Sequence, residues 1–303
     1  MSKKIREKIL PIIFALLMIS GLLLLFYPII SDVVNSKSQT KVISQYNEEV
    51  KSLSKENYDE EFEKAYAFND MIYHMEDALY HPEKIEGYED ILNVTKNGIM
   101  GYVSIPKIDV KLGIYHGTND TVLRGAVGHL KGSSLPVGGE NTHAVIAAHR
   151  GMASASLFTD IDKLEIGDEF TITVLDKVLI YQVDQILTVL PEEDEPLRII
   201  KGEDHVTLQT CTPYGVNSHR LLVRGVRTGT TTLENDDYNQ DPSIITPLKN
   251  KRNLIPLIIA AIILVLGFIA RQIVTHIRKG RSVNSTQKTE NIEDENSSDQ
   301  DTG

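Results

Sequence analysis

Apolar and polar positions divide this chain into four stretches with different periods. Residues 9–30 carry no charge and follow Lys3, Lys4, Arg6 and Lys8. A helix of that length crosses a hydrocarbon core of roughly 30 Å. The run outlasts a usual signal-peptide core, and no small-x-small cleavage pattern follows Tyr27-Pro28 promptly, so an uncleaved anchor is expected rather than a leader. Residues 254–270 form a second uncharged run, near the short limit for spanning, with Arg271, Arg278, Lys279 and Arg281 after it. If both insert, both termini lie on one side, and the basic N-terminus makes that side cytoplasmic. The charge bias is weak at the second run, because Lys249, Lys251 and Arg252 flank its outer side. A buried core helix is the alternative reading there. The expected layout is a basic N-terminus (1–8), a transmembrane helix (9–30), an extracellular preface (31–97), a main domain (98–228), a linker (229–253), a second transmembrane helix (254–270) and a cytoplasmic tail (271–303).

Between the two runs the period changes once. From Glu48 to about Tyr80, apolar residues recur at threes and fours through Phe62, Ala65, Tyr66, Ile72, Tyr73, Leu79 and Tyr80. That is the stripe of an amphipathic helix. Asn69 and Glu76 interrupt it, so one bent helix or two shorter ones are expected. Residues 81–98 are charged, hold Pro82 and Gly87, and read as a loop around one short helical turn. Beyond Met100 the pattern turns to short runs rich in Val, Ile, Leu, Thr and Tyr, separated by Gly, Pro, Asn and Asp. Strands are expected at 101–105, 110–115, 144–148, 169–175, 178–189, 205–210 and 221–226, which makes the domain an all-β barrel or sandwich. Asp176-Lys177 is tight enough to close a hairpin.

Composition narrows the function. The chain carries 42 acidic against 31 basic residues, and many of the basic ones flank the membrane runs. Clustered positive charge, which nucleic-acid binding requires, is missing. The tail from Ser282 is rich in Ser, Asn, Asp, Glu and Gln and reads as disordered. Histidine spacing matches no zinc pattern and there is no calcium loop, so no metal and no cofactor is expected.

Cys211 is the single cysteine. An exported protein usually pairs its cysteines, so a lone thiol is either buried and inert or kept for its reactivity. A nucleophilic cysteine needs a nearby histidine or cation. His149 ends an apolar run and would stand at a strand rim; alternation groups it with Val145 and Ala147, and groups Cys211 with Thr207 and Gln209. Arg220 follows Cys211 after a turn-rich loop, and a returning strand would bring its guanidinium beside the thiol, where it can hold an oxyanion. His219 competes for the base role, although alternation points it away from the face that Arg220 uses. His205 reads as a turn or cap residue beside Asp204, and His116, His129 and His143 have no partner that the sequence names.

Several stretches carry a resemblance to the class C, pilus-assembling sortases of Gram-positive bacteria. They are Ala-Ala-His-Arg-Gly at 147–151, Thr-Leu-Gln-Thr-Cys-Thr-Pro-Tyr-Gly at 207–215 and Asn-Ser-His-Arg-Leu-Leu-Val-Arg-Gly at 217–225, with further matches from residue 101 to 139. The resemblance covers about residues 98–228. It implies a closed β-barrel of about eight strands with an N-terminal helical preface. It also implies catalytic roles for Cys211, His149 and Arg220, with Thr210 directly before the nucleophile. A membrane segment at each end of the chain is similar to class C as well. The implied reaction is cleavage of a Leu-Pro-x-Thr-Gly-type sorting signal through a thioacyl enzyme, followed by transfer to a lysine amine of a second pilin.

One family feature departs. Class C lids commonly carry an Asp-Pro-aromatic motif that reaches the cysteine, whereas here the lid region offers only His81-Pro82-Glu83. Tyr80 or His81 is left to take that place, or the lid is degenerate. Three alternatives stay open: a housekeeping-type sortase serving the peptidoglycan precursor, a cysteine protease, and a tethered binding module without activity.

Overall fold

The computed structural model describes residues 3–233 and, beyond them, only Ala260, Gly267 and Arg271. The second apolar run at 254–270 lies outside the described residues except for Ala260 and Gly267, which are helical and exposed, so the expected second transmembrane helix falls there too. Two compact units make up the chain: Met1–Leu25 with Asn250–Gly303, and Phe26–Lys249. In the first, Leu16, Leu17 and Leu24 are helical and exposed. One helix near the N-terminus contains an 18-residue window of mean hydropathy 2.1, only 6% of it buried. That is the profile of a membrane-crossing helix, and it supports association of the chain with a membrane.

The second unit starts inside helix α1 (Lys3–Ser52). Past the apolar run the helix becomes one-sided, burying Asp32, Gln39, Ile43, Tyr46 and Val50. Positions seven apart return to one helix face, and here that face carries polar groups that bond the barrel's backbone. Gln39 donates to the Gly125 carbonyl at 2.8 Å and accepts from the Gly113 amide at 3.0 Å. The Tyr46 hydroxyl donates to the Met100 carbonyl at 3.0 Å and accepts from the Leu175 amide at 2.8 Å.

The apolar stripe expected from Glu48 to Tyr80 resolves into two helices. The break falls at Leu53-Ser54, where the Ser54 side chain accepts from the Asn57 amide and caps helix α2 (Lys55–His74). Two features correct the sequence reading. Asn69 does not interrupt the stripe but is buried within it, exchanging two hydrogen bonds with the Leu135 backbone at 3.1 and 2.7 Å. The helix ends at His74, so Leu79 and Tyr80 lie outside it in a turn.

Two 3-10 turns, Pro82–Lys84 and Tyr88–Asp90, fill the following loop. Tyr88 fastens it to the barrel. His129 Nε2 faces the Ser134 carbonyl at 2.8 Å and therefore carries the proton, which leaves Nδ1 to accept from the Tyr88 hydroxyl at 2.8 Å.

Eight strands close into a barrel in the order β1-β2-β3-β4-β7-β8-β6-β5. They are β1 (Ile99–Ile105), β2 (Val110–His116), β3 (Val127–His129), β4 (Thr142–Ala147), β5 (Glu169–Val174), β6 (Lys177–Val189), β7 (Asp204–Thr212) and β8 (His219–Thr232). Seven match expected strands with small shifts at the ends, and β8 continues past the expected limit of 226. Strand β3 is new; three residues in parallel pairing with β2 are too few to show alternation. The β4–β7 pair is also parallel, and the remaining pairs are antiparallel. Val103, Ile114, Ile146, Ile172, Leu208 and Val223 fill the interior, and the apolar faces of α1 and α2 join the same cluster.

Candidate active site

The site lies on the outer face of the sheet, where β4, β7 and β8 are neighbours. Cys211 and Arg220 are directly opposite in the antiparallel β7–β8 ladder, so their side chains share a face. The returning strand expected from the sequence therefore forms as drawn. On the other side β7 pairs in parallel with β4, whose last matched pair is Ala147 with Gln209. Two residues further along each chain are His149 and Cys211. The connection between them is held by the Ala148 amide donating to the Gln209 carbonyl at 3.1 Å. Thr210 closes it from the other side, its hydroxyl donating to the Ala148 carbonyl at 2.7 Å. Thr210 is thus a buried strut between the segments that carry His149 and Cys211.

Cys211 is a free thiol, half-buried. Among the described residues no side chain or backbone group hydrogen-bonds the His149 ring, and no carboxylate pairs with Arg220. The Arg220 guanidinium touches only the carbonyls of His219 and Asn217, at 3.3 and 3.5 Å. A thiol, an imidazole and a guanidinium with no acidic partner among the described residues can receive a carbonyl, move a proton and hold a developing oxyanion. His219 sits one rung away opposite Thr212, its Nδ1 2.9 Å from the Ser218 hydroxyl.

The segment after His149 is braced, and this support was not read from the sequence. Arg150 forms an ion pair with Asp162 and donates to the Thr212 hydroxyl at 3.3 Å, tying the segment that carries His149 to the residue after the thiol. The Phe158 amide donates to the His149 carbonyl at 3.3 Å. Gly151 adopts φ +76°, a left-handed conformation that favours glycine, and a Cβ there would stand 2.9 Å from the Tyr214 ring. Arg150 and Gly151 were visible in the motif at 147–151; what they hold was not.

The preface reaches the same outer face. Leu79 packs on a cluster of Val145, Val189, Leu197 and Leu222. Gly132 makes the approach possible: its φ is +102°, and a Cβ would stand 2.4 Å from the Ala78 carbonyl oxygen. The Tyr80 hydroxyl donates to the Asp194 carboxylate at 2.6 Å, and this bond raises the phenol's pKa. Asp194 belongs to the acidic run 192–195 in the β6–β7 connection, so the preface turn is tied to that run. His81 faces Glu83 at 3.1 Å on the surface. Tyr80 and His81 therefore bond acidic side chains, not Cys211. A cavity of about 180 Å³ remains between this turn, His143 and Arg198.

Further along the face the sequence reading needs correction at His205. It is no cap: it lies buried in β7, its ring 5.6 Å from that of His143. His143 Nδ1 faces the Arg198 carbonyl at 3.0 Å and so donates, leaving Nε2 to accept from the Thr207 hydroxyl at 2.7 Å. Burial lowers the His143 pKa to about 4. Arg224, opposite Thr207, is bonded to Asp184 through both Nε and Nη2.

A closed barrel with a lone thiol, an upstream histidine and a cross-strand arginine at its rim defines a sortase-type cysteine enzyme, and the sortase domain model matches residues 103–228. Over 62% of its length the chain is 44% identical to sortase C1 of Streptococcus agalactiae, covering 98% of that structure with a TM-score of 0.57. To sortase C of Streptococcus pneumoniae it is 47% identical over 63% of its length, covering 98% of that chain with a TM-score of 0.57. Sortase A of Streptococcus agalactiae is 28% identical over 162 residues, which span 52% of this chain and 63% of that relative. The chain belongs to the class C sortases.

Proposed function

We propose that this protein is a membrane-anchored cysteine transpeptidase that polymerises pilin subunits. The observation that carries the reading is the rim itself, where Cys211 and Arg220 face each other across β7–β8, His149 ends the adjoining segment, and among the described residues no acidic side chain pairs with His149 or Arg220. The donor is the Leu-Pro-x-Thr-Gly-type sorting signal of a pilin. The Cys211 sulfur, as thiolate, attacks the threonine carbonyl carbon, and the oxygen that gains charge is held by the Arg220 guanidinium. As the C–N bond to glycine breaks, His149 delivers a proton to the departing amine, leaving a thioester on Cys211. A lysine amine of a second pilin then attacks that thioester, its proton passes to His149, and the thiolate leaves as the isopeptide bond forms.

Two-pass anchoring, with 9–30 and 254–270 in the bilayer and both termini cytoplasmic, is part of this reading. It places the domain between them outside, alongside the secreted subunits. Leu79 and Tyr80 are the residues of the preface turn that close over the groove, using Asp194 as the latch.

Mass spectrometry of the protein incubated with a Leu-Pro-x-Thr-Gly peptide should find the acyl group on Cys211, and none on a Cys211→Ala protein. Subunit joining by the Cys211→Ala protein would end the assignment. Similarity to sortase A supports one rival, attachment to a cell-wall precursor amine. A competition between a pilin lysine and a cell-wall peptide amine decides between them, with the lysine product expected to dominate.

A further inference from the structure

Past the pair Ala147 and Gln209, the β4–β7 ladder gives way to side chains. The Ala148 amide still reaches the Gln209 carbonyl at 3.1 Å, but the His149 carbonyl turns to the Phe158 amide at 3.3 Å. Two side chains then join the segments. On one side of His149 and Cys211, the Thr210 hydroxyl donates to the Ala148 carbonyl at 2.7 Å. On the other, Nη1 of Arg150 donates to the Thr212 hydroxyl at 3.3 Å. The ties therefore fall on the residues directly before and after His149, and directly before and after Cys211.

The second tie has an anchor of its own. Nη2 of Arg150 donates to the Asp162 carboxylate. Asp162 lies in the 3-10 turn Ile161–Lys163, which is seated on the core through the fully buried Ile161. The Arg150 side chain is only 11% exposed, and its Nε is buried with no hydrogen-bond partner among the described residues. An ion pair so placed costs desolvation, and apolar side chains of similar size often serve stability as well or better. What apolar side chains lack is the planar fork, which meets two acceptors at once and fixes the line between them. The bridge is suited to setting geometry.

We propose that Arg150 is a positioning residue for the transfer reaction: gripped by Asp162, it holds Thr212, and so the Cys211 thiol, in a fixed place against the His149 imidazole. Thr210 and Arg150 are the two sides of one frame, and the reacting pair stands between them. Both arms of the guanidinium are taken, so Arg150 acts through the backbone rather than on the peptide. The role rests on the proposed transfer, in which His149 gives a proton to the departing amine and takes one from the incoming amine. A displacement of about 1 Å in such an arrangement can cost on the order of 10²-fold in rate.

In the full-length protein, Thr212→Val keeps the β-branched shape and removes the acceptor, whereas Thr212→Ser keeps the hydroxyl. In transfer from a Leu-Pro-x-Thr-Gly peptide to an amine, Thr212→Val should lower kcat by roughly 10- to 100-fold with KM unchanged. Thr212→Ser should restore it. Arg150→Lys replaces the fork by a point charge; it should fall likewise, and it carries the test if Thr212→Val does not fold. Rates are referred to the folded fraction measured by circular dichroism. No loss, a loss that only follows the folded fraction, a loss in KM alone, or an equal loss in Thr212→Ser overturns the role. Alkylation of Cys211 by iodoacetamide against pH needs no peptide. Its midpoint should move in Thr212→Val towards that of His149→Ala, and an unmoved midpoint also overturns the role. A wild-type protein that forms no acyl adduct on Cys211 would defeat the transpeptidase reading instead, and the alkylation profile still judges the brace.

Discussion

Two groups on one face of the barrel use nearly the same residue types and end in opposite states. His143 lies near the start of β4, and Thr207 and Arg224 lie within β7 and β8; His149, Cys211 and Arg220 lie at the rim of the same three segments. In the inner group each side chain has a polar partner. The Thr207 hydroxyl donates to His143, the Arg198 carbonyl accepts from it, and Asp184 accepts from Nε and Nη2 of Arg224. In the rim group the imidazole and the guanidinium have no acidic partner among the described residues, and the hydroxyl is replaced by a thiol. A saturated polar group stabilises the fold and is lost to chemistry, whereas unsatisfied groups at a solvent-facing edge can bind and react. Residue type alone does not distinguish the two.

The comparison breaks most sharply at the rim. Cys211→Ala and His149→Ala should each abolish transfer between a sorting-signal peptide and an amine while leaving the thermal unfolding midpoint unchanged. Arg220→Lys keeps the charge and loses the fork, so kcat/KM should fall on the order of 10²–10³ with folding intact. The inner group should respond the other way. Asp184→Asn leaves Arg224 half-buried without its carboxylate, and chemical denaturation should show a loss of about 1–3 kcal/mol. Acylation by the folded fraction should be retained.

Acid should separate the two groups as well. Burial lowers both His129 and His143 from 6.5 to about 4 in the folded chain. The unfolded chain therefore binds more protons over that interval, so stability present above pH 6.5 should be lost as the pH falls towards 4. Melting curves at successive pH values check this, and His143→Gln should flatten the slope. The smallest effect is expected at the preface. Tyr80→Phe removes one exposed hydrogen bond to Asp194, so iodoacetamide labelling of Cys211 should rise by roughly twofold or less. Deleting 80–87 with no change in labelling would remove any covering role from this turn.

The strands were legible because a half-buried sheet writes its alternation into the chain; seven of the eight appear in the run of Val, Ile, Thr and Tyr. Val127–His129 escaped for want of length, and its pairing is set by distant neighbours in β2 and β4. Asn69 was misread because a polar residue on an apolar stripe looks like a break until Leu135 is seen to bond both ends of its amide. His205 was misread for a related reason: an Asp-His pair at a strand start suggests a cap, and only the approach of His143 explains its burial.

At the site, the sequence by itself determined the three candidates. One cysteine, a histidine closing an apolar run and an arginine opening the returning strand are local facts, and strand geometry sets where each can point. The tertiary structure alone decided which groups stay free. Whether an imidazole or a guanidinium is satisfied depends on residues far away in the chain, such as Arg198 for His143 and Asp184 for Arg224. It alone decided, too, that Leu79 packs on Val145 and Leu222, that Tyr80 bonds Asp194 and that Asp32 meets the loop after His149. Periodicity records which face of a strand or helix is buried; it holds no record of what that face meets.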